Sequence, residues 1–429
     1  MRAVGFLVSL IVLFALGFSW RDIQSGDPAD AISAFHGILG GSGAAKPLPE
    51  QEFQQAFNRI QVEYYRPIEP KKLKYAGISG MMASLGDPHT MFLVPQIARE
   101  FDRDTKANYV GVGAKLSTYT RHGDIVGARA VAVFSEGPGY AAGLRRGDVI
   151  VGVNGKSVEG LSVEEDVDRI MGQEGTLVKL SILKSGEGNP VVIAVRRSHV
   201  VTPTVESTYF PQYKVGYIYI ASFSEPTAEQ FDRELAKVEQ NPLRGLVIDV
   251  RGNPGGYLET AVEMLSRFKA NKVVVGMKMR DGSIDHEYTV GNMVHDFNYP
   301  IAILINGDSA SAAEIFSGAL RDYKVATLVG THSYGKASVQ EVYPFKDGSS
   351  GKVTIARYFL PLSGDIGRRV DEDGSYISGG LEPDVKVEED DVLPDDLRNP
   401  PVNRTSDLPD PADDNQLRRA IEVVLSKAR

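Results

Sequence analysis

Cysteine is absent from the 429 residues. Disulfide bonds, thiolate sites for zinc or iron–sulfur clusters and a cysteine nucleophile are therefore excluded. The seven histidines show no metal-binding spacing, and the sequence lacks both a phosphate-binding loop and a dinucleotide-binding glycine motif. A net charge of −9 gives no basic surface of the kind that binds nucleic acid. We therefore expect no cofactor, no metal and no nucleic-acid partner.

The acidic charge is concentrated near the C-terminus. Residues 387–410 contain eight Asp or Glu but only two Lys or Arg, and residues 387–412 contain five prolines. This composition predicts a disordered or extended strap over 387–412. The apolar periodicity that follows predicts a short amphipathic helix within 413–429.

A long uncharged run lies at the other end of the chain. Ala3 to Trp20 comprises 18 residues without a charge, at the lower limit for a membrane span. Residues 1–20 therefore predict an uncleaved anchor, with the rest of the protein in the cell envelope outside the cytoplasm. A cleaved secretory signal and a buried core helix are the alternatives. Residues 21–49, rich in Gly, Ala and Ser, predict a linker.

Three regions of different periodicity follow the linker. Residues 50–105 show helical spacing of apolar side chains. Residues 107–187 contain short strand patterns and Gly/Pro turns around one or two helices. Residues 190–386 alternate apolar strands with helices, which is typical of a sheet covered by helices. The fold class is therefore α/β, within an α+β multi-domain chain.

Ser311 stands between a buried strand pattern and a helix. It lies three residues before Glu314, the spacing of a capping box. The free amides and dipole of a helix N-terminus favour negative charge there. In isolation, however, this pattern indicates only a helix cap.

A lysine and a glutamine follow the serine along the chain. Lys336 lies 25 residues beyond Ser311, and Gln340 lies four residues beyond the lysine. Lysine can act as a general base if burial lowers its pKa from about 10.4 toward neutrality. Gln340 could orient the amine only if 336–340 formed a helical turn. In a strand the two residues would be about 13 Å apart.

The segment DVRGNPGG, residues 249–256, ends another strand pattern. Alone it indicates a turn before a capped helix. Beside a nucleophile, an amide of Gly255 or Gly256 and the amide of Ala312 could form an oxyanion hole.

Seven motifs occur in an order that resembles one family, the carboxy-terminal processing or tail-specific proteases, which are serine endopeptidases with a PDZ domain. The resemblance covers about residues 50–386. The motifs are LGDPHT (85–90), YVGVGAKL (109–116), GPGYAAGLRRGDVIVGVNGKSVEGLS (137–162), DVRGNPGG (249–256), NGDSASAAEIFSGAL (306–320), VGTHSYGKASVQ (329–340) and GGLEPDV (379–385).

The resemblance implies the roles of three side chains. Ser311 would be the nucleophile, Lys336 the general base and Gln340 the residue that positions the lysine. The fold implied is a crotonase-like, ClpP-like protease core at 190–386 with a PDZ domain inserted at 107–187.

The PDZ domain is expected to bind substrate C-termini. Its loop at Val112 and Gly113, with Leu116 in the following strand, would receive the terminal carboxylate and residue. The expected partners are protein or peptide substrates with free C-termini, and a homodimer is a candidate assembly.

The sequence departs from the family's pattern at three places. Gly86 is inserted in the first motif, and the stretch from Asp365 to Ser378 is longer than the usual turn. Met171 stands where some relatives carry an arginine that couples peptide binding to the active site, and Arg169 could substitute for that arginine.

Two other functions compete with the protease. A non-catalytic PDZ scaffold is disfavoured because all three predicted catalytic residues are present. A crotonase-type acyl-CoA hydratase would have no use for the PDZ segment or for the serine and lysine.

Overall fold

The structure is a computed structural model that describes residues 50–291, 293–371, 373, 375–389, 409 and 411–428. The predicted anchor and linker, and most of the predicted acidic strap, lie outside the described residues. Within these ranges no helix is both long and apolar enough to cross a membrane.

The secondary structure changes character along the chain. It begins with α1 (Glu50–Glu63), α2 (Pro70–Ala83), β1 (Met91–Leu93) and α3 (Pro95–Lys106). A strand-rich region follows, with β2 (Asn108–Gly111), β3 (Ala114–Arg121), β4 (Asp124–Val133), α4 (Pro138–Ala141), β5 (Val149–Val153), β6 (Lys156–Ser157), α5 (Val163–Ile170), β7 (Leu177–Lys184), β8 (Glu187–Arg196) and β9 (Ser198–Val201).

Strands and helices alternate in the remainder. These elements are β10 (Val205–Phe210), β11 (Val215–Ile220), α6 (Thr227–Val238), β12 (Gly245–Asp249), α7 (Leu258–Leu265), β13 (Val273–Met279), β14 (Ile284–Tyr288), β15 (Ile301–Ile305), α8 (Ala312–Asp322), β16 (Ala326–Gly330), β17 (Ser338–Pro344), β18 (Ser350–Phe359), β19 (Arg369–Val370), β20 (Tyr376–Ser378), β21 (Val385–Lys386) and α9 (Asn415–Lys427). The chain is a mixed α/β protein, as the periodicities predict.

The first of two compact units contains the described residues up to Arg99 together with Gln340–Ile355. In it β1 pairs antiparallel with the first half of β18. The LGDPHT motif stands just before β1. The carboxylate of Asp87 accepts hydrogen bonds from the Thr90 hydroxyl at 2.6 Å and the His89 amide at 3.0 Å. The Thr90 hydroxyl in turn accepts the Thr354 amide at 3.0 Å, so the motif fixes the start of β1 to β18.

The second unit, Glu100–Val339 with the described residues from Ala356 onward, contains a six-stranded sheet. Its order is β10-β11-β12-β15-β16-β21, and only β10 runs antiparallel to its neighbour. Strands β11, β12, β15 and β16 are buried on both faces, which explains their continuous apolar sequences. Alternate side chains pack on α6–α8 and on α9; on the α9 face they include Tyr217, Val247 and Leu304.

Parallel pairing decides where the three predicted catalytic segments lie. Residues 249–256, 306–311 and 331–336 follow β12, β15 and β16, which are adjacent parallel strands. Their carboxyl ends lie at one edge of the sheet, the usual position of a site in this type of fold.

A smaller sheet is formed by β3–β8 in the order β3-β4-β5-β7-β8, with β6 on β5. The run 109–119 is divided at Val112 and Gly113, where Gly113 adopts a φ of 74°, and β2 pairs with β9. The sheet continues beyond residue 187, and the predicted end of the PDZ domain there stays a prediction. A turn at Ser185 and Gly186, both with positive φ, returns the chain as β8, which pairs with β7 up to Arg196.

Helix α9 is bound to the segment after β12 through a buried guanidinium. Nη2 of Arg251 lies 2.7 Å from Oδ2 of Asp249 and 2.7 Å from Oδ2 of Asp414. Asp414 also caps α9, since its Oδ1 accepts the Leu417 amide at 2.8 Å. Gln416 adds an acceptor for Arg251 Nη1 at 2.9 Å.

This cluster predicts acid-sensitive stability. Burial alone would raise the pKa of Asp414, but the charge and hydrogen bonds of Arg251 and the amide of Leu417 outweigh it, and the pKa is lowered. A lowered carboxyl pKa stabilises the fold above the unfolded value of about 3.9, and this contribution is lost as the pH falls through the folded-state pKa. Asp414→Asn should therefore lower the free energy of unfolding by about 2–3 kcal/mol at neutral pH.

The deficit of the Asp414→Asn variant should shrink as the pH falls below about 4, because the unfolded wild-type carboxyl is then protonated and the folded one follows at its lower pKa. Urea unfolding from pH 3 to pH 8 measures this. Asp413→Asn, at an exposed neighbouring position, is the matched control and should change little. A deficit of constant size over the whole range would contradict the assignment.

Candidate active site

Ser311 occupies the position before α8 with an unusual backbone conformation. Its φ of 56° and ψ of −119° lie in a region that non-glycine residues rarely adopt. Such a conformation persists only where surrounding contacts enforce it. A Cβ on Gly255 would lie 2.7 Å from Cβ of Ser311 and 2.9 Å from the amide nitrogen of Ala312. Glycine is therefore required for this close approach.

Glu314 connects the serine to the predicted base. Its side chain is fully buried and accepts four hydrogen bonds. Oε2 accepts the amides of Ser311 and Lys336, each at 2.9 Å. Oε1 accepts the Gly335 amide at 2.6 Å and the Ser333 hydroxyl at 2.5 Å. One carboxylate thus holds together the backbones of two loops 25 residues apart.

The charge state of Glu314 reflects two opposed effects. Burial raises the pKa of its carboxyl above the ordinary value, although the four donors pull the pKa down. All four are donors to the carboxylate oxygens, so each contact is strengthened when the group is ionised.

Further hydrogen bonds join the three loops directly. The Tyr334 amide donates to the carbonyl of Ser309 at 3.0 Å, and the Ala310 amide donates to the carbonyl of Asn253 at 2.9 Å. The Ser309 hydroxyl donates to the carbonyl of Val250 at 2.8 Å. The loops after β12, β15 and β16 therefore form one bonded assembly.

The two candidate oxyanion-hole glycines, Gly255 and Gly256, differ in the hydrogen bonding of their amides. The amide of Gly255 donates to Oδ1 of Asn253 at 2.8 Å, so it is already engaged. The amides of Gly256 and Ala312 donate no hydrogen bond to any residue that the structure describes. Of the glycines, Gly256 is therefore the better partner for Ala312.

Gln340 lies on β17, and no helical turn forms over 336–340. The turn that the spacing argument required is therefore absent. Nε2 of Gln340 donates to the Thr354 hydroxyl at 3.1 Å. Its role toward Lys336 stays a prediction. Lys336 itself is half-buried in the irregular segment before β17.

The smaller sheet presents a groove beside β3. Within the described chain β3 is an edge strand that pairs with β4 alone, and α5 packs next to it. The groove opens into a cavity of about 420 Å³. Leu116 lines one side, and Val163 and Val167 of α5 line the other. Further walls come from the end of α3 and from residues 202–204 and 221–222.

Val112 and Gly113 do not line this cavity. They form the loop directly before β3, and backbone hydrogen bonds hold this loop in place. The Val112 side chain is buried, and the carbonyls of the two residues accept the amides of Gly139 at 2.7 Å and Phe134 at 2.9 Å. Tyr109 lies beside the loop. Burial raises its pKa to about 12, while the Ala114 and Gly113 amides act in the opposite direction.

Comparisons with known proteins agree with this geometry. The chain matches the family model of peptidase family S41 over residues 214–387 and that of the PDZ domain over residues 130–184. It is 31% identical to carboxy-terminal processing protease CtpB of Bacillus subtilis (strain 168) over 345 residues, 80% of this chain and 68% of the relative. It is 32% identical to CtpA of the same organism over 351 residues, covering 81% and 70%.

The chain belongs to the carboxy-terminal processing proteases. It is a serine peptidase of family S41 with a PDZ domain. A solved putative S41 protease from Bacteroides fragilis has a similar fold, with a TM-score of 0.52 and 16% identity over 87% of this chain and 98% of that chain.

In this carboxy-terminal processing protease the side chain of Met171, at the position where some relatives carry an arginine, is contacted by Arg103. This residue was not identified from the sequence. Nη1 of Arg103, on α3, lies 3.8 Å from the sulfur of Met171. Arg169, the expected substitute, donates from Nη1 to the carbonyl of Ser157 at 3.2 Å, and its coupling role stays a prediction. No sequence signal identifies Arg103, because it is 68 residues from Met171 and belongs to a helical pattern outside the PDZ segment.

The four bonds of Glu314 predict the effect of Glu314→Gln. The substitution keeps the shape but puts an NH₂ group where an oxygen accepts buried donors. Leaving buried donors unpaired should lower the free energy of unfolding by about 1–3 kcal/mol. Displacing Ser311 and Lys336 should lower kcat by about 10- to 100-fold. Glu229→Gln, at an exposed position on α6, is the matched control. A folded Glu314→Gln enzyme with wild-type kcat would refute this role.

Proposed function

We propose that the protein cleaves peptide bonds through an acyl-enzyme on Ser311, with Lys336 as general base. The neutral amine takes the proton of the serine hydroxyl as its oxygen attacks the scissile carbonyl, and then passes that proton to the leaving amine. Water, deprotonated by the same lysine, hydrolyses the ester. The observation that carries this proposal is the shared Oε2 of Glu314, which binds the amides of both residues.

The charge that develops on the carbonyl oxygen would be stabilised by two amides. Gly256 and Ala312 supply them, since the Gly255 amide is bound to Asn253. The N-terminus of α8 adds the favourable end of its dipole at the same place. Gln340 would orient the lysine amine through its amide oxygen, which adds no charge to the site.

The PDZ groove would select substrates by their C-termini. An extended tail would add to the free edge of β3, with its carboxylate at the loop of Val112 and Gly113. Leu116, Val163 and Val167 give the cavity apolar walls, which supports a preference for small or apolar terminal residues.

The proposal includes a location and a fold for the core. Residues 1–20 would anchor the chain, with the peptidase in the cell envelope outside the cytoplasm, and the core would be crotonase-like. A homodimer remains a candidate assembly. Recovery of the full-length chain in a soluble cytosolic fraction would contradict the anchor.

The dyad predicts the effect of single substitutions. Ser311→Ala and Lys336→Ala should each lower kcat by about 10³-fold or more, and the double variant should lose little further, because the two residues act as a unit. Gln340→Ala should lose less. A fluorophosphonate probe should label Ser311 in the wild type. Lys278→Ala, at an exposed position on β13, is the control.

Two results would contradict these assignments. Near-normal turnover in Lys336→Ala would exclude lysine as the base. An intact wild-type chain that neither cleaves peptides nor reacts with the probe would favour the non-catalytic scaffold.

C-terminal recognition predicts an effect of amidating the substrate. Removing the carboxylate charge should raise KM about tenfold in the wild type, with kcat nearly unchanged. Val167→Glu, which places a charge in the apolar groove, should abolish the difference between the acid and the amide, while the exposed Asp168→Asn should keep it. Equal KM values for both peptides with the wild-type enzyme would refute this recognition.

A further inference from the structure

A short hairpin packs against the segment that carries Lys336. It is formed by β19 and β20, and the residue before β19 is Arg368. The Arg368 amide donates to the carbonyl of Gly335 at 2.7 Å. A Cβ on Gly335 would lie 3.0 Å from Cβ of Arg368, so the contact is close. Since Gly335 immediately precedes Lys336, the hairpin begins at the predicted active site.

The side chain of Arg368 is held between aromatic rings. Its guanidinium carbon lies 5.4 Å from the ring centroid of Tyr334 and 5.6 Å from that of Tyr376. Tyr376 is itself fixed, because its ring stacks on His332 with centroids 4.4 Å apart and its hydroxyl donates to the carbonyl of Gly379 at 2.7 Å. Cations are attracted to such ring faces, so the two tyrosines restrict the motion of the guanidinium.

The charge of Arg368 nevertheless has no ion-pair partner among the residues that the structure describes. The side chain is exposed, and it forms no ion pair and donates no hydrogen bond to any residue within the described ranges. Two carboxylates near Arg368 in the sequence, those of Asp365 and Asp371, have other partners. Asp365 lies 3.9 Å from Arg357, and Oδ1 of Asp371 accepts the amides of Asp373 at 3.0 Å and Ser375 at 2.8 Å.

A guanidinium that is restrained in this way, and that has no counter-ion within the described part of the chain, is well prepared to bind a carboxylate. Its planar fork matches the two oxygens, and little side-chain entropy remains to be lost on binding. We propose that Arg368 is a specificity-determining residue that binds a substrate carboxylate close to the scissile bond. This inference rests on the proposed peptidase function.

The position of the segment supports a site near the scissile bond. Tyr334, whose ring contacts Arg368, donates its amide to Ser309, two residues before Ser311. An extended peptide advances only about 3.3 Å per residue. Arg368 should therefore reach a residue within a few positions of the bond that Ser311 attacks, and the favoured substrates would carry Asp or Glu there.

Matched peptides test this inference. One Glu is moved through the positions on both sides of the cleavage site, and each peptide is compared with its Gln counterpart. At one position the wild type should favour Glu by about threefold to tenfold in kcat/KM. The preference should weaken at high salt, because the contact is exposed. Repeating the assay with amidated peptides distinguishes a side-chain carboxylate from the terminal one, since only the latter preference disappears.

Variants of the hairpin provide the controls. Arg368→Gln should abolish the Glu preference, whereas Arg369→Gln, which removes the same charge from the next exposed residue, should retain it. Arg368→Glu should reverse the preference toward Lys at the same position. A reversed preference would show that the charge of residue 368 is recognised. If the substitution only loosened the hairpin, cleavage of all peptides would fall alike.

The outcomes also separate the two proposals. Identical Glu-to-Gln ratios in the wild type, Arg368→Gln and Arg369→Gln, with cleavage intact, would overturn the role of Arg368. Failure of the wild type to cleave any peptide or to react at Ser311 would refute the proposed function instead.

Discussion

The buried carboxylate of Glu314 is the group on which the arrangement of the active site depends. Removing a carboxylate from water costs several kcal/mol unless hydrogen bonds replace the lost hydration. Here four donors do so, and three of them are backbone amides, of Ser311, Gly335 and Lys336. Neither loop can move without leaving a buried polar group unpaired. The same bonds therefore maintain the unusual backbone of Ser311 and the position of Lys336.

The loop at 249–256 is held by a second set of polar contacts. Arg251 binds Asp249 at the end of β12 and Asp414 at the start of α9, while Nδ2 of Asn253 donates to the carbonyl of Ile220 at 2.8 Å. With both sides fixed, Gly255 can approach Ser311 as closely as it does. Helix α9 thus contributes to the site although no part of it reaches Ser311. It completes the neutralisation of a guanidinium that would otherwise be buried beside one carboxylate only.

Local patterns in the sequence predict the helices and strands, but they do not predict the contacts between the loops. The apolar runs of β12, β15 and β16 identify buried strands, and parallel pairing then brings their loops to one edge. The spacing of Ser311 and Glu314 predicts the bond from Glu314 to the Ser311 amide. Nothing local indicates that the same carboxylate also binds residues 333–336. The hydrogen bond of the Gly255 amide to Asn253 and the contact of Arg103 with Met171 could not be predicted from local patterns either, because each depends on tertiary packing.

The segment that carries Lys336 is contacted from two sides with different chemistry. On the buried side Glu314 binds its amides, and any substitution there leaves a desolvated group unpaired. On the exposed side the hairpin meets it through one backbone bond and the stack of Arg368 on Tyr334 and Tyr376. Exposed contacts of this kind contribute little to stability, so their side chains can change without displacing Lys336. If Lys336 is the base and Arg368 selects the substrate, as proposed, the two functions would be separable in this protein, since they would lie on opposite sides of the same segment.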